Sequence, residues 1–379
     1  MKLLAIKGLS RPGGGAERVL VDIANGLTLR GHEIGIISYD RPTQQSFYQL
    51  DHHIEWYRLG IGRTDQPATL TETVLRIAAL RRTILPLKPE IVVGFLHSVF
   101  IPLGIALLGT RIPVVASEHT APAHYATRPL QRAMLHLTPC ITSHMTVVSD
   151  QILSLYPQSH HHRLSVLPNP VHVAVSSRAD VRGPDDKPKV LLCVGRLAAQ
   201  KDHATLIAAF ARIADDLPDW NLHIVGEGEL RPELMIQIND LGLSHRIFLP
   251  GATADVYAHY ASAQLFVLPS LYETLGLVAI EALAHGLPVI GFADCPGINQ
   301  LVIPGYNGAL VSGEDRITSL AQTMKILMSN ARLREKLVQP GSAIPNECRL
   351  ESVLDRWEMM FERHCDRQHA PITMAPSTS

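Results

Sequence analysis

The sequence predicts an α/β protein made of two doubly wound, Rossmann-like domains in tandem. Three observations lead to this prediction. The chain has 379 residues, more than one ordinary core accommodates. Short apolar runs alternate with amphipathic stretches along both halves, as in parallel sheets with helical crossovers. A polar stretch with one glycine and two prolines, residues 176–189, separates the halves and is the best linker candidate.

The N-terminal half, residues 1–180, begins with a strand–helix–strand unit. Apolar runs at 2–8 and 33–39 predict buried strands, and the segment between them places its apolar residues on one helical face. That helix ends at Arg30 and Gly31, which suit a last turn and a C-cap. Further strands are predicted at 90–96, 112–119 and 144–150.

The C-terminal half, residues 186–350, repeats this alternation. Strands are predicted at 189–195, 221–228, 246–251, 265–270 and 287–292, with helices between them, as at 203–217. Residues 351–366 predict a helix that returns to the N-terminal domain. The tail, residues 367–379, has no periodicity and is expected to be disordered.

Composition excludes several classes of protein. Hydrophobic residues make up 46% of the chain and charged residues 18%, which is typical of a globular protein. The net charge of −1 gives no broad footprint for nucleic acid. Lys7 interrupts any apolar leader, and five cysteines without CxxC spacing indicate a reducing compartment. We therefore expect a cytoplasmic protein.

The first chemical motif is the glycine run in RPGGGAER, residues 11–18. It follows a strand and precedes a helix, where close backbone approach and free N–H groups favour an anion. It matches neither GxGxxG nor the P-loop pattern. The glycine run is therefore a candidate for ligand contact, and a plain flexible loop is the alternative.

The second motif, VGRLAAQK, places Arg196 just past a strand and Lys201 just before a helix. Two cations at one strand end can bind a diphosphate, the arginine through its planar fork and the lysine as a point charge. The alternative is an exposed basic pair on a loop.

The third motif is LYETLGLVAIEALAHGLPVI, residues 271–290. Glu273 falls between a strand and a helix, and Glu281 falls inside that helix among apolar residues. A carboxylate in apolar surroundings needs a partner or a polar ligand, and a ribose diol offers two donors. The amides of Thr274 to Leu277 would face the same ligand. Alternatively, Glu281 lies on a solvent-exposed helix face.

The fourth motif, SEHT, places His119 at the end of an N-terminal strand. A histidine there can bond a sugar hydroxyl or a phosphate. The alternative is a structural histidine, which the 19 histidines of the chain make common.

Together these motifs resemble the retaining family 4 glycosyltransferases, which have the GT-B fold with two facing domains and an interdomain cleft. The resemblance covers roughly residues 1–360. It is strongest to enzymes that extend lipid-linked oligosaccharides or make exopolysaccharide and lipopolysaccharide. The chain departs from many relatives by having Thr274, Leu275 and Gly276 after the first glutamate where Gly-Phe-Pro or Gly-Leu-Pro is common. This variant also occurs in the family, so the departure bears on the identity of the donor more than on the class.

The resemblance implies a role for each candidate residue. It implies a diphosphate clamp of Arg196 and Lys201, a ribose ligand in Glu281, and a donor-sugar contact in Glu273. His119 would touch the donor sugar and is grouped with the catalytic residues. The remaining donor contacts would be Gly14, Gly15, Thr274, Leu275, Gly276 and Leu277. No metal cofactor is expected.

The implied activity is retaining transfer of a hexose or N-acetylhexosamine from a nucleotide sugar, UDP rather than GDP, to a sugar hydroxyl of a lipid-linked or polysaccharide acceptor. Two alternatives are a nucleotide-sugar epimerase of the same fold and a non-catalytic donor-binding subunit. Segments 75–88 and 128–137 combine basic and apolar residues, as interfacial helices do. They predict peripheral contact with the inner face of the plasma membrane, and an ordinary surface helix is the alternative.

Overall fold

The computed structural model describes residues 1–11, 15–64, 66–120, 129–171, 178–184, 186–338 and 345–365. Within them the chain forms two compact units. The first unit is Met1–Pro170 together with the segment from Leu350 onward, and the second is Val171–Arg349. Gly14 and the tail at 367–379 lie outside the described residues.

The first unit contains a parallel sheet, with seven strands among the described residues, in the order β3-β2-β1-β4-β5-β6-β7. The strands are β1 Lys2–Ile6, β2 Ile34–Ser38, β3 Glu55–Arg58, β4 Ile91–Phe95, β5 Val114–Glu118, β6 His144–Val147 and β7 Leu164–Val166. The central β4 and β5 are buried along their whole length, which explains the apolar run IVVGF of β4, whereas β5 ends in the buried polar residues Ser117 and Glu118.

The second unit contains a parallel sheet of six described strands in the order β10-β9-β8-β11-β12-β13. The strands are β8 Lys189–Val194, β9 Trp220–Val225, β10 Ile247–Gly251, β11 Leu265–Leu268, β12 Val289–Phe292 and β13 Gly308–Val311. Both strand orders reverse beside the first strand of the unit, as in doubly wound sheets that bind ligands at the strand ends.

The helices connect these strands. They are α1 Gly15–Leu29, α2 Leu70–Leu87, α3 His97–Ala106, α4 Pro129–Ile141, α5 Asp150–Ser154, α6 His203–Ala211, α7 Arg231–Asp240, α8 Tyr257–Ser262, α9 Leu277–Ala284, α10 Arg316–Ser329, α11 Ala331–Leu337 and α12 Leu350–Cys365. In the described part of the chain, no helix combines the length and hydrophobicity that spanning a bilayer requires. The two parallel α/β sheets agree with the predicted fold class.

Helix α12 belongs to the first unit, where it packs against α1 and β4. Arg30, just past α1, donates to Asp355 at 2.8 Å and to Glu358 at 2.7 Å. Nη2 of Arg30 donates to Oε2 of Glu351 at 2.5 Å. One guanidinium thus binds three carboxylates on one face of α12, and Trp357 beneath them is 1% exposed.

The break between the units comes earlier than the polar stretch 176–189. Val181 is buried in the core of the second unit, and Nε of Arg334 donates to its carbonyl at 2.8 Å. The carbonyl of Asp180 accepts from Nε2 of Gln264 at 3.1 Å. Polar composition predicted a linker here, but the backbone of the described part, 178–184, is held by side chains of the second unit.

Candidate functional site

In the second unit, the loops after β8 and β9 pack closely against each other. A Cβ added to Gly226 would lie 2.0 Å from the carbonyl oxygen of Gly195, so only glycine permits this approach. The amide of Leu197 then donates to the carbonyl of Glu227 at 3.0 Å. These contacts fix the backbone on either side of Arg196, whose side chain is exposed.

Lys201 ends a short 3-10 helix, Ala199–Lys201, and its side chain folds back over Gly195. Its ammonium donates to Oε1 of Glu273, and the two side chains are 16% and 9% exposed. The structure therefore brings together the cation and the first carboxylate that the sequence had placed 72 positions apart. Because both charges are largely removed from water, each needs the other.

Glu273 is held at several points. Its Oε1 also accepts from Oγ of Ser270 at 2.6 Å, and its amide donates to the carbonyl of Pro296 at 3.0 Å. The neighbouring Tyr272 carbonyl accepts from Nε2 of Gln200 at 2.7 Å. Sequence reasoning missed Ser270 and Gln200, because nothing in their spacing shows which carboxylate or carbonyl they reach.

Gly276 begins the turn into α9. Its φ of +66° is a left-handed conformation, and a Cβ there would lie 2.5 Å from Cδ1 of Ile298. A side chain at this position would be strained and would displace the end of Ile298, so glycine is favoured. The amides of Leu277 and Val278 come before the first hydrogen bond of α9, which Ala279 donates to the carbonyl of Gly276 at 2.8 Å. Amides at such a helix N-terminus favour an anion.

Glu281 lies on the buried side of α9, not on a solvent-exposed face. It is 7% exposed, and its Oε2 accepts from the hydroxyl of Tyr260 at 2.8 Å. The surface interpretation of Glu281 was therefore wrong. Tyr260 could not be found by spacing, since it is 21 positions upstream and on α8. The only available signal was that a buried carboxylate needs a donor.

His203, at the start of α6, supports the backbone of the Arg196 loop. Its Nε2 lies 3.3 Å from the carbonyl oxygen of Arg196. Burial lowers the pKa of His203 to about 4, the Arg196 carbonyl opposes this shift, and Lys201 adds to it. His203 is therefore neutral near pH 7 and adds no third positive charge.

In the first unit, His119 follows β5 and stacks on Phe95, with ring centroids 5.1 Å apart. Its Nε2 lies 3.0 Å from Oγ of Ser117, which accepts from Oγ1 of Thr146 at 3.0 Å. The imidazole and the Ser117 hydroxyl therefore share one hydrogen bond, in which either group can be the donor.

The ring of His119 is neutral near pH 7. Burial lowers its pKa to about 4, and only Asn169 opposes that shift. Nδ1 of His119 and Oδ1 of Asn169 are both buried without a hydrogen bond from the described residues. A neutral imidazole donates one hydrogen bond and accepts another, so His119 is suited to hydrogen bonding and unsuited to accepting a proton near neutral pH.

The predicted glycine contacts are only partly visible. Gly15 begins α1, and Gly14 lies outside the described residues. The loop that leads to them is anchored, because Asp40 accepts from the amide of Leu9 at 2.7 Å and from Oγ of Ser10 at 2.5 Å. This anchoring argues against a freely flexible loop before residue 11.

Within the described residues, the single His/Cys/Asp/Glu group with ligand atoms close enough for a metal is Asp51, His52 and His53. Both histidines are exposed, and all three residues belong to the first unit. The Lys201–Glu273 region contains no such group among the residues that the structure describes.

The second unit thus gathers two cations after β8, a carboxylate after β11, a helix N-terminus and a buried carboxylate on α9. Cations and free amides bind phosphate oxygens, and carboxylates bind hydroxyls. This combination suits a ligand that carries both a diphosphate and sugars.

Comparison with known proteins agrees with that chemistry. The model of the family "Glycosyltransferase Family 4" matches residues 13–175, and that of "Glycosyl transferases group 1" matches residues 177–343. Together the two models cover most of the chain.

Two curated relatives match over nearly their whole length. One is the Campylobacter jejuni α-1,4-N-acetyl-D-galactosaminyltransferase named for GalNAc-α-(1→4)-GalNAc-α-(1→3)-diNAcBac-PP-undecaprenol. It is 27% identical over 91% of this chain and 94% of its own. The other is the lipopolysaccharide core biosynthesis glycosyltransferase LpsE of Rhizobium meliloti, 27% identical over 86% of this chain and 89% of its own.

Solved structures match in fold. Sucrose-phosphate synthase from Thermosynechococcus elongatus superposes with a TM-score of 0.76 at 20% identity, covering 96% of this chain and 99% of that one. HepE from Anabaena, solved in complex with UDP and glucose, gives 0.75 at 21% identity with the same coverage. The two parallel α/β units, the two family models and these neighbours agree, and the chain belongs to the family 4 glycosyltransferases of GT-B fold, which use nucleotide-sugar donors.

Proposed function

We propose that this glycosyltransferase moves a hexose or N-acetylhexosamine, with retention, from a UDP-sugar to a sugar hydroxyl of a lipid-linked or polysaccharide acceptor. The observation that supports it most is the Lys201–Glu273 pair beside the N-terminus of α9, with Glu281 buried on the same helix. The names of the Campylobacter relative and the HepE complex support a lipid-linked acceptor and a UDP donor. GDP is the second candidate nucleotide.

In this proposal the second unit binds the donor. Arg196 and Lys201 bind the diphosphate, aided by the amides of Leu275, Gly276 and Leu277, and Thr274 lies alongside. Glu281 accepts from the ribose hydroxyls, and Glu273 accepts from a hydroxyl of the donor sugar. Lys201 serves both ends, because its ammonium can turn from Glu273 to a phosphate oxygen.

Transfer begins when the bond between the sugar C1 and the β-phosphate oxygen breaks and its electron pair stays on that oxygen. Arg196 and Lys201 stabilise the charge that develops there. The oxocarbenium-like sugar is attacked by the acceptor hydroxyl from the same face, and the hydroxyl proton passes to the departing phosphate oxygen. Since the two cations supply countercharge, we expect transfer to persist in a chelator. We assign no protein general base.

His119, Gly14 and Gly15 remain predicted donor contacts of the first unit. Because His119 is neutral near pH 7, we assign it a hydrogen bond to the donor and not a role in proton transfer. Kinetics of His119→Gln with the accepted donor test this part, and an unchanged donor KM and kcat would remove His119 from the site.

The proposal is tested by a screen of UDP- and GDP-sugars for binding, hydrolysis and transfer to lipid-linked and polysaccharide acceptors. We expect turnover with a UDP-sugar, and retention at C1 by NMR of the product. Turnover with GDP-sugars alone would overturn the choice of nucleotide, and an inverted product would overturn the mechanism.

The alternatives give different results in the same screen. An epimerase would convert the nucleotide sugar to its epimer without acceptor. A non-catalytic subunit would bind donor and turn over nothing. The retained Arg196, Lys201, Glu273 and Glu281 favour the transferase over both.

The proposal includes peripheral membrane contact through α2, and the structure shows which basic residues of segment 75–88 are exposed. Arg76 is 2% exposed and donates to the carbonyls of Ile61 and Arg63. Nη1 of Arg81 donates to the Ala106 carbonyl at 2.6 Å, at the end of α3. The predicted basic face therefore loses Arg76 to the interior, and Arg81 stays exposed but is tied to the end of α3.

The exposed part of α2 that remains combines Leu70 and Val74, at 86% and 65% exposure, with Arg82, and the exposed Lys88 follows the helix as its C-cap. Flotation with anionic liposomes should weaken in the double variant Arg82→Gln/Lys88→Gln. Lys325→Gln, which removes an exposed charge from the second unit, is the control. Equal flotation of all three proteins would remove membrane contact from the proposal.

A further inference from the structure

We infer that Ser270 is a positioning residue, which holds the Glu273 carboxylate in the orientation that a donor sugar requires. Ser270 follows β11, is fully buried, and donates from Oγ to Oε1 of Glu273 at 2.6 Å. The inference rests on the proposed function, because it assigns Ser270 a part in binding the sugar of the donor.

The two oxygens of Glu273 are used differently. Oε1 accepts from both Ser270 and Lys201, whereas the described residues make no hydrogen bond to Oε2. An ionised carboxylate accepts on both oxygens, so Oε2 is the atom left for a ligand hydroxyl. Ser270 thereby decides which oxygen is occupied by the protein and which is presented to the sugar.

Ser270 and Lys201 are not equivalent partners of Oε1. The lysine has a long flexible side chain and is required by the diphosphate, so it must share its donors between Glu273 and phosphate. The serine hydroxyl has one short side-chain torsion. Its backbone is fixed on both sides, since the Pro269 carbonyl accepts from Arg316 at 3.1 Å and the Leu271 amide donates to the Gln200 carbonyl at 2.9 Å. Ser270 therefore keeps Glu273 in place when Lys201 turns to the phosphate.

If Ser270 positions Glu273, its loss should weaken binding of the UDP-sugar but not of UDP. Ser270→Ala removes a hydrogen bond to a charged group but leaves the charges, the amides of α9 and Glu281 intact. We expect affinity for the UDP-sugar, and kcat/KM, to fall by about 10-fold to 100-fold. Affinity for UDP alone should stay unchanged, because UDP has no sugar for Glu273 to hold. A general loss of packing would weaken both ligands alike.

The experiment is a double-mutant cycle of Ser270→Ala, Glu273→Gln and the double variant. Calorimetric titrations with UDP and with the UDP-sugar that the screen identifies are combined with kcat/KM. If Ser270 acts only through Glu273, the double variant should be no weaker than Glu273→Gln alone. Thr318→Val is the matched control, since Thr318 donates its hydroxyl to the carboxylate of Asp315 at the start of α10 in the same unit.

Additive losses in the cycle, or a UDP affinity that falls as much as the UDP-sugar affinity, would overturn the inference and leave Ser270 a structural residue. If the wild-type enzyme turns over and Ser270→Ala has the same UDP-sugar affinity and kcat/KM, the inference is overturned and the proposed function stands. A wild-type chain that neither binds nor turns over any nucleotide sugar would overturn the proposed function, and the inference with it.

Discussion

The two units place their candidate residues at equivalent points, just past the ends of parallel strands. They differ in charge: the residues of the second unit form an ion pair, and the histidine of the first unit is neutral. In the second unit Lys201 and Glu273 are both largely buried and pair directly. In the first unit His119 is neutral and bonds to Ser117. The strand order of a sheet therefore determines where a site forms, and the groups that contact each titratable side chain determine whether that side chain is charged.

The physical reason is the cost of removing a charge from water. An ion pair with additional hydrogen bonds offsets that cost, and Ser270 supplies such a bond to Glu273. The buried imidazole of His119 has its pKa lowered by burial, and only Asn169 opposes this among the described residues, so it loses its proton instead. The second unit is thus suited to phosphate and hydroxyl ligands together, and the first to neutral hydrogen bonding.

The largest effect should come from Lys201→Ala. It removes the partner of a buried carboxylate and a cation that we assign to the diphosphate, so kcat/KM should fall by about 100-fold to 1,000-fold. Steady-state kinetics with the accepted donor measure this. Lys325→Ala, which breaks an exposed ion pair with Asp216, should leave the rate unchanged. A Lys201→Ala enzyme of wild-type activity would end the assignment of a charged site to the second unit.

An intermediate effect is expected at Glu281. Glu281→Gln keeps the shape but loses the charge that strengthens bonds from ribose hydroxyls, so affinity for UDP should fall by about 10-fold. Tyr260→Phe removes one donor to the same carboxylate and should cost less. Calorimetry with UDP measures both variants. UDP affinity that is unaltered in Glu281→Gln would mean that this carboxylate serves only packing.

The smallest effect should be the contribution of His119 to the pH dependence of the free energy of unfolding. Its folded pKa, about 4, lies below the ordinary value of 6.5, so the unfolded chain binds a proton that the folded chain does not. The free energy of unfolding should therefore fall as pH is lowered from about 6.5 to about 4, and should not respond to this group above 6.5. Urea unfolding of His119→Gln should show a shallower fall over that range. His203→Gln gives the matching test in the second unit. Parallel pH curves for wild type and His119→Gln would contradict a neutral, buried His119.

Much of the fold follows from periodicity alone. The runs at 90–96 and 265–270 predicted strands, and the structure has β4 and β11 there, because continuous burial demands continuous apolar sequence. Strands β3, β7 and β13 escaped prediction. They are three or four residues long, and each contains partly exposed positions, so their apolar signal is weak.

The sequence by itself determined the fold class, the family resemblance and the residue types at the strand ends, since periodicity and motif spacing are local properties. Tertiary structure alone decided which groups meet. Lys201 bonds Glu273 across 72 positions, and Tyr260 bonds Glu281 across 21. It also decided that Arg76 is buried against backbone carbonyls and that the exposed Arg81 donates to the carbonyl of Ala106. Such partners depend on how strands and helices pack, and one-dimensional spacing does not encode that packing.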